Sequence, residues 1–238
     1  MQSKIYWAAC AALAGLAASP AAHAKMPLND TGMRACVDFD AGYFVQDCTD
    51  TGQDGEFGRD VTHKKNSDGR LGFSYRKICN NGEAAGTGSC PADPKFGTAA
   101  TAWGCTEDRV TGLVWEIKRP TGLRTITAIY AKKPGGFYPT AAGFVATVNR
   151  RSMCGAGDWR LPTVMELQSI VNYQYADYWL NPNLQFEPEQ TWFPESFTYY
   201  FNSYMTADEK SAQSNWTVNK GAVSYSSSGH VRLVRNAR

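Results

Sequence analysis

No apolar run in this chain is long enough to span a bilayer. Its one extended run, Ile5 to Ala18, falls short of the roughly 20 residues a transmembrane helix requires. Histidine is scarce, with 3 in 238 residues, and no Cys-x-x-Cys pair occurs, which argues against a zinc centre. There is no nucleophile elbow, no His-Glu-x-x-His helix and no phosphate-binding loop. Charge is nearly balanced, with 24 Lys and Arg against 22 Asp and Glu, so no bulk attraction to nucleic acid or an anionic membrane follows. No internal repeat or low-complexity linker is visible, and the length suits one large domain or two small ones.

What is present begins with a leader. Lys4 supplies a positive start, the apolar run follows, and Ala22-His23-Ala24 is a small-x-small cleavage site. Residues 1–24 read as a signal peptide and the mature chain as starting at Lys25. Cys10 lies inside the apolar run, too early for a lipid-anchor motif. The remaining cysteines, Cys36, Cys48, Cys79, Cys90, Cys105 and Cys154, form an even set in an exported chain and read as three disulfides. Local spacing favours Cys36–Cys48 and Cys79–Cys90, which leaves Cys105–Cys154.

The segment from Cys36 to Asp60 is acidic and Gly-rich. Asp50, Asp54, Glu56 and Asp60 are spaced as oxygen ligands of a structural calcium ion would be, the one cofactor this chain admits. The EF-hand pattern does not fit, and the plainer reading is a turn-rich loop tied by a disulfide. Residues 71–78 alternate weakly and predict a strand, and residues 80–100 a long loop. Asp108 to Glu116 reads as a turn running into a strand with Leu113 and Trp115 on one face. Thr140 is placed to cap a helix running through Ser152, with Phe144, Val145 and Val148 on its buried stripe.

The stretch from Cys154 to Val171 predicts a turn at Gly155 and Gly157, a short strand with Trp159 and Leu161, and a helix after Pro162. Thr163 and Glu166 form a capping box, and Arg160 and Asp158 are placed to pair across the hinge. Between Tyr173 and Tyr204 aromatics crowd onto Pro-broken loops. That many rings are hard to bury together, so Trp179, Trp192, Tyr199, Tyr200 and Tyr204 are candidate ligand-binding residues. Glu187-Pro188-Glu189 with Asn215-Trp216 resembles the acid-proline motif of calcium-dependent lectins, but Thr217 stands where the second carboxylate belongs. The chain closes in strands around Asn215–Val218, Ala222–Tyr225 and His230–Arg235, with Arg232 and Val234 sharing a face. His63 and His230 read as loop residues rather than general bases.

Three motifs, Thr111-Gly112-Leu113-Val114-Trp115-Glu116, Gly157-Asp158-Trp159-Arg160-Leu161-Pro162 with Glu166-Leu167, and Val231-Arg232-Leu233-Val234-Arg235, occur in order over residues 103–235. Together they resemble the Lcl C-terminal domain family, named for a bacterial collagen-like adhesin. The resemblance implies an α+β, C-type-lectin-like fold of the formylglycine-generating-enzyme kind: two helices packed on small irregular antiparallel sheets, with long loops. It divides the mature chain into a disulfide-tied, loop-rich region over 25–102 and the family domain over 103–238. Family members often carry a Tyr-Trp-Ser-Ser-Thr-like strand where Tyr200-Phe201-Asn202-Ser203-Tyr204 stands here. Formylglycine-generating enzymes need reactive cysteines in the C-terminal part. This chain has none after Cys154, so no catalytic residue is assigned. The expectation is an exported domain, periplasmic or at the cell surface, that binds a glycan, polyanion or surface protein. The other expectations are a carboxylate-dependent glycan hydrolase and a structural subunit of a surface appendage.

Overall fold

The computed structural model describes residues 29–33, 35–38, 40, 42–45, 47–63, 67–171, 192–193, 203–219 and 222–237. The leader, Trp179, Glu187, Glu189, Tyr199 and Tyr200 lie outside the described residues. The architecture is α+β, with short helices and small antiparallel sheets. Strands β1 (Cys36–Asp38) and β2 (Tyr43–Val45) form a ribbon, followed by the single-turn helices α1 (Asp54–Phe57) and α2 (Arg59–Thr62). Strands β3 (Tyr75–Cys79), β4 (Trp103–Asp108) and β5 (Leu113–Glu116) follow, then β6 (Tyr130–Ala131), α3 (Ala141–Arg150) and α4 (Val164–Gln168). The last elements are β7 (Tyr204–Ser211), β8 (Ser214–Asn219), β9 (Ala222–Ser226), β10 (Ser228–Gly229) and β11 (Val234–Asn236).

The main sheet has the order β11-β5-β4-β3, a second has β7-β8-β9, and β10 pairs with β6. All four residues of β5 are buried, because both faces of the main sheet are covered. Val114 points toward Phe144 and Val148 of α3, while Leu113 and Trp115 point toward Leu167, Tyr204 and Val218 beneath α4 and the second sheet. Trp115 is fully buried and Trp159 nearly so, which makes both of them core. Strand β3 lies upstream of residue 103 yet hydrogen-bonds to β4, so the N-terminal region contributes an edge strand to the main sheet.

The three disulfides are Cys36–Cys48, Cys79–Cys90 and Cys105–Cys154. Thr140 caps α3 by accepting from Gly143 N at 3.1 Å, and Phe144 and Val148 are buried along it. Gly155 takes φ +67°, and a Cβ there would sit 2.7 Å from Asn81 O, so this turn requires glycine. Gly157 is not in the left-handed region. The strand expected at Trp159–Leu161 reduces to one bridge, Arg160 to Val234, and the strand expected from residue 71 starts at Tyr75, after a turn. The helix expected through Val171 ends at Gln168, leaving Ile170 and Val171 buried on a turn.

The Thr163–Glu166 capping box is present in both directions. The partner expected for Arg160 is corrected. Its guanidinium forks onto Glu166 at 2.7 and 2.6 Å rather than reaching Asp158, because the capping box already aims that carboxylate back at the hinge. Burial alone would raise the Glu166 pKa, but the bonds from Arg160 and Thr163 outweigh it and hold the carboxyl below 4.5. A depressed carboxyl adds stability that is complete above its unfolded value and is lost as the pH falls through its folded value. Glu166→Gln removes this term. Urea unfolding from neutral pH to below 4.5 is expected to show a shallower acid loss of stability in the variant than in the parent.

Candidate functional site

The acidic N-terminal segment is spent on its own backbone. Glu56 accepts from Gly52 N at 2.8 Å and Asp50 N at 3.2 Å, and Asp54 accepts from Thr31. Asp30 accepts from Asp60 N at 2.8 Å at the start of α2. Glu56 ties the turn before α1 and Asp30 holds the first turn of α2, within the turn-rich segment that the loop reading expects. The structure does not bring Asp50, Asp54, Glu56 and Asp60 together, and among the described residues no group of three or more His, Cys, Asp or Glu side chains is arranged to hold a metal.

The described members of the aromatic cluster pack inward. Trp192 is half-buried against Tyr75 and Trp103, with ring centroids 5.9 and 6.5 Å away. Its carbonyl accepts from Thr106 Oγ1 at 2.7 Å. Tyr204 is buried beside His230 and under the Arg232 guanidinium, 5.6 Å from its ring. Tyr204 is closed to solvent, whereas Trp192 keeps part of its surface open. The His230 pKa is lowered, first by burial and also by the Lys118 charge, while the carbonyls of Ala128 and Ile126 hold it up. His63 is exposed beside Thr62 Oγ1.

The first and last of the three motifs meet in a buried charge cluster. Glu116, Lys118 and Arg232 are each at most 2 % exposed. Lys118 Nζ lies 3.0 Å from Glu116 Oε1, Leu233 N donates to Glu116 Oε2 at 2.9 Å, and Arg232 donates to the Glu116 carbonyl at 2.9 Å. Burial pulls the Lys118 pKa down and Glu116 opposes it. Burial and then the Glu116 charge push Tyr130 up to about 12. Buried together, these groups join segments 116 residues apart in sequence and serve architecture.

The exposed rings lie elsewhere. Trp216 of β8 stands directly opposite Tyr225 of β9. Their rings meet edge-on with centroids 6.1 Å apart, and Lys210 of β7 sits over both, 5.2 Å from Trp216 and 5.7 Å from Tyr225. Tyr225 is 62 % exposed and Trp216 is half-buried. The arrangement follows from strand period two and antiparallel register, which put residues 216 and 225 on one face. It sets two perpendicular rings and a cation side by side on one face of the second sheet. The hairpin was legible in the sequence, but the meeting of these three side chains depends on a register that turn residues alone do not set.

Clefts open elsewhere among the described residues. One, about 840 Å³, runs between α3 and β7 and includes Val145, Leu161, Met205 and Glu209, the last ion-paired to Lys132 at 2.9 Å. A second, about 520 Å³, includes Arg119, Arg124 and Arg151. A third, about 330 Å³, includes Asp38, Asp40 and Asp47 on the β1–β2 ribbon. Among the described residues no helix is long and apolar enough to cross a membrane. The family model described as the Lcl C-terminal domain matches residues 104–235. No curated protein matches the chain.

Proposed function

The chain belongs to the Lcl C-terminal domain family, and from that premise we propose that it is an exported recognition domain of C-type-lectin-like fold that binds a carbohydrate at the cell surface. The observation that carries this reading is the Trp216–Tyr225 pair, Tyr225 exposed and Lys210 over both rings. Solvent-facing aromatics on a rigid sheet keep their apolar area available to a ligand. Three disulfides and the absence of a membrane-spanning helix among the described residues support a protein that works after export. The family region carries the recognition surface, and β3 buttresses it from the main sheet's edge. An aromatic pair with a cation against it favours a ring with an acidic substituent over a peptide.

The test is a glycan and glycosaminoglycan array probed with the oxidised, exported protein, with and without a calcium chelator. Saturable binding is expected, weakened roughly tenfold or more by Tyr225→Ala. The same variant should shift unfolding by less than about 1 kcal/mol, since a cross-strand pair contributes no more than that. Chelator sensitivity would bring Asp50, Asp54, Glu56 and Asp60 back as metal ligands. A blank array from well-folded protein would overturn the reading and point to a partner chain.

A further inference from the structure

The cleft that includes Arg119, Arg124 and Arg151 carries an uncompensated positive charge. Arg119 is 93 % buried by its 7 % exposure, and its Nε–H meets no acceptor. Its other end is committed: Nη2 donates to Gly97 O at 2.5 Å, and the guanidinium carbon lies 4.3 Å from the centre of the Phe96 ring. Arg124 donates to Gly104 O at 3.0 Å. Arg151 is exposed at the end of α3. None of the three makes an ion pair among the described residues, and the cleft's lining contains no carboxylate. The nearest buried acid, Glu116, is already engaged by Lys118 and by Leu233 N. Leaving a guanidinium N–H unpaired in a buried place is costly, and a fork of such donors matches a planar or tetrahedral oxyanion. Burial, and then the Arg124 charge, draw the Arg119 pKa down to about 10, the direction an incoming anion would reverse.

We infer that this cleft is a binding site for a single oxyanion group, a carboxylate, sulfate or phosphate monoester carried on a small molecule or at a chain terminus. Arg119 and Arg124 line the cleft as two buried or half-buried charges, and Arg151, exposed at its edge, draws the anion in from solvent. Nothing in this site touches Trp216 or Tyr225, so it stands or falls apart from the carbohydrate face.

The experiment uses the oxidised, exported protein at low ionic strength. Arginine Nε–Hε cross-peaks are followed by NMR during titration with sodium sulfate, inorganic phosphate and glucuronate, with sodium chloride at matched ionic strength as control. Saturable movement of a buried arginine Nε–Hε peak by at least one oxyanion, with chloride inert, is the expected result. The probe with the lowest dissociation constant identifies the group. Arg151→Ala is expected to weaken binding at least threefold and Arg119→Gln at least tenfold. If Arg119→Gln fails to fold, the exposed Arg151→Ala variant and the parent's own peaks decide. The site is overturned if no oxyanion moves these peaks, if chloride moves them equally, or if Arg151→Ala leaves affinity unchanged.

Discussion

Glu116→Ala is expected to lower the free energy of unfolding by about 3–5 kcal/mol, the range for breaking a buried ion pair from one side. The residue is fully buried, and three groups lean on it: the Lys118 ammonium, the Leu233 amide and the Arg232 guanidinium, the last through its backbone. Truncation leaves Lys118 in a dry site with its carboxylate gone and Leu233 N without its acceptor. The pattern across variants identifies the cause. Glu116→Gln keeps a side-chain acceptor and should lose less. Glu116→Leu combined with Lys118→Met removes both charges and should recover a large part of the loss, because a buried pair is no stronger than a well-packed apolar substitute. Equilibrium urea unfolding of the oxidised protein measures all three. Equal losses in the single and double variants would mean that shape, not charge, is what Glu116 supplies.

Replacing the Cys105–Cys154 bridge by two alanines should cost about 4 kcal/mol by the chain-entropy argument, more than either of the other bridges. It closes a loop of sequence separation 49, against 12 for Cys36–Cys48 and 11 for Cys79–Cys90. The two shorter bridges constrain the unfolded chain less, at about 3 kcal/mol each. The long bridge ties β4 to the turn that follows α3, so it pins one helix to the main sheet, and both sulfurs lie in the core. Thermal or urea unfolding of the Cys105→Ala/Cys154→Ala variant checks the value. A loss no larger than that of Cys79→Ala/Cys90→Ala would show that the unfolded chain is already compact across this loop.

What could be read from the sequence was mainly local. The cap at Thr140, the Thr163–Glu166 box and the short-range disulfides rest on spacings that fix their own geometry. The partner of Arg160 was misjudged because Asp158 and Glu166 are both within its reach, and only the cap geometry decides between them. The acids around Asp54 were legible as turn formers but not as the first residues of two helical turns, which are too short to show a period. Composition cannot say which way a ring on a Pro-broken loop faces: Tyr204 is buried and Trp192 half-buried. The arginine cleft was invisible for a different reason. Arg119, Arg124 and Arg151 come from a loop and a helix end whose approach is set by packing, with no pattern in the sequence to announce it.

Strand β11 pairs residue for residue with β5, from Val234 opposite Trp115 to Asn236 opposite Leu113, and Ala237 N bonds Gly112 O beyond it. On its other side, Arg160 and Val234 exchange backbone bonds at 2.9 Å. A tension directed along the β11 axis therefore loads these bonds in shear, all at once, rather than peeling them open in turn. The force enters the central strand directly and bypasses the loops. Resistance of the C-terminal strand to extraction is therefore set by this lock between the first and last motifs, and Val234 is the position at which to alter it.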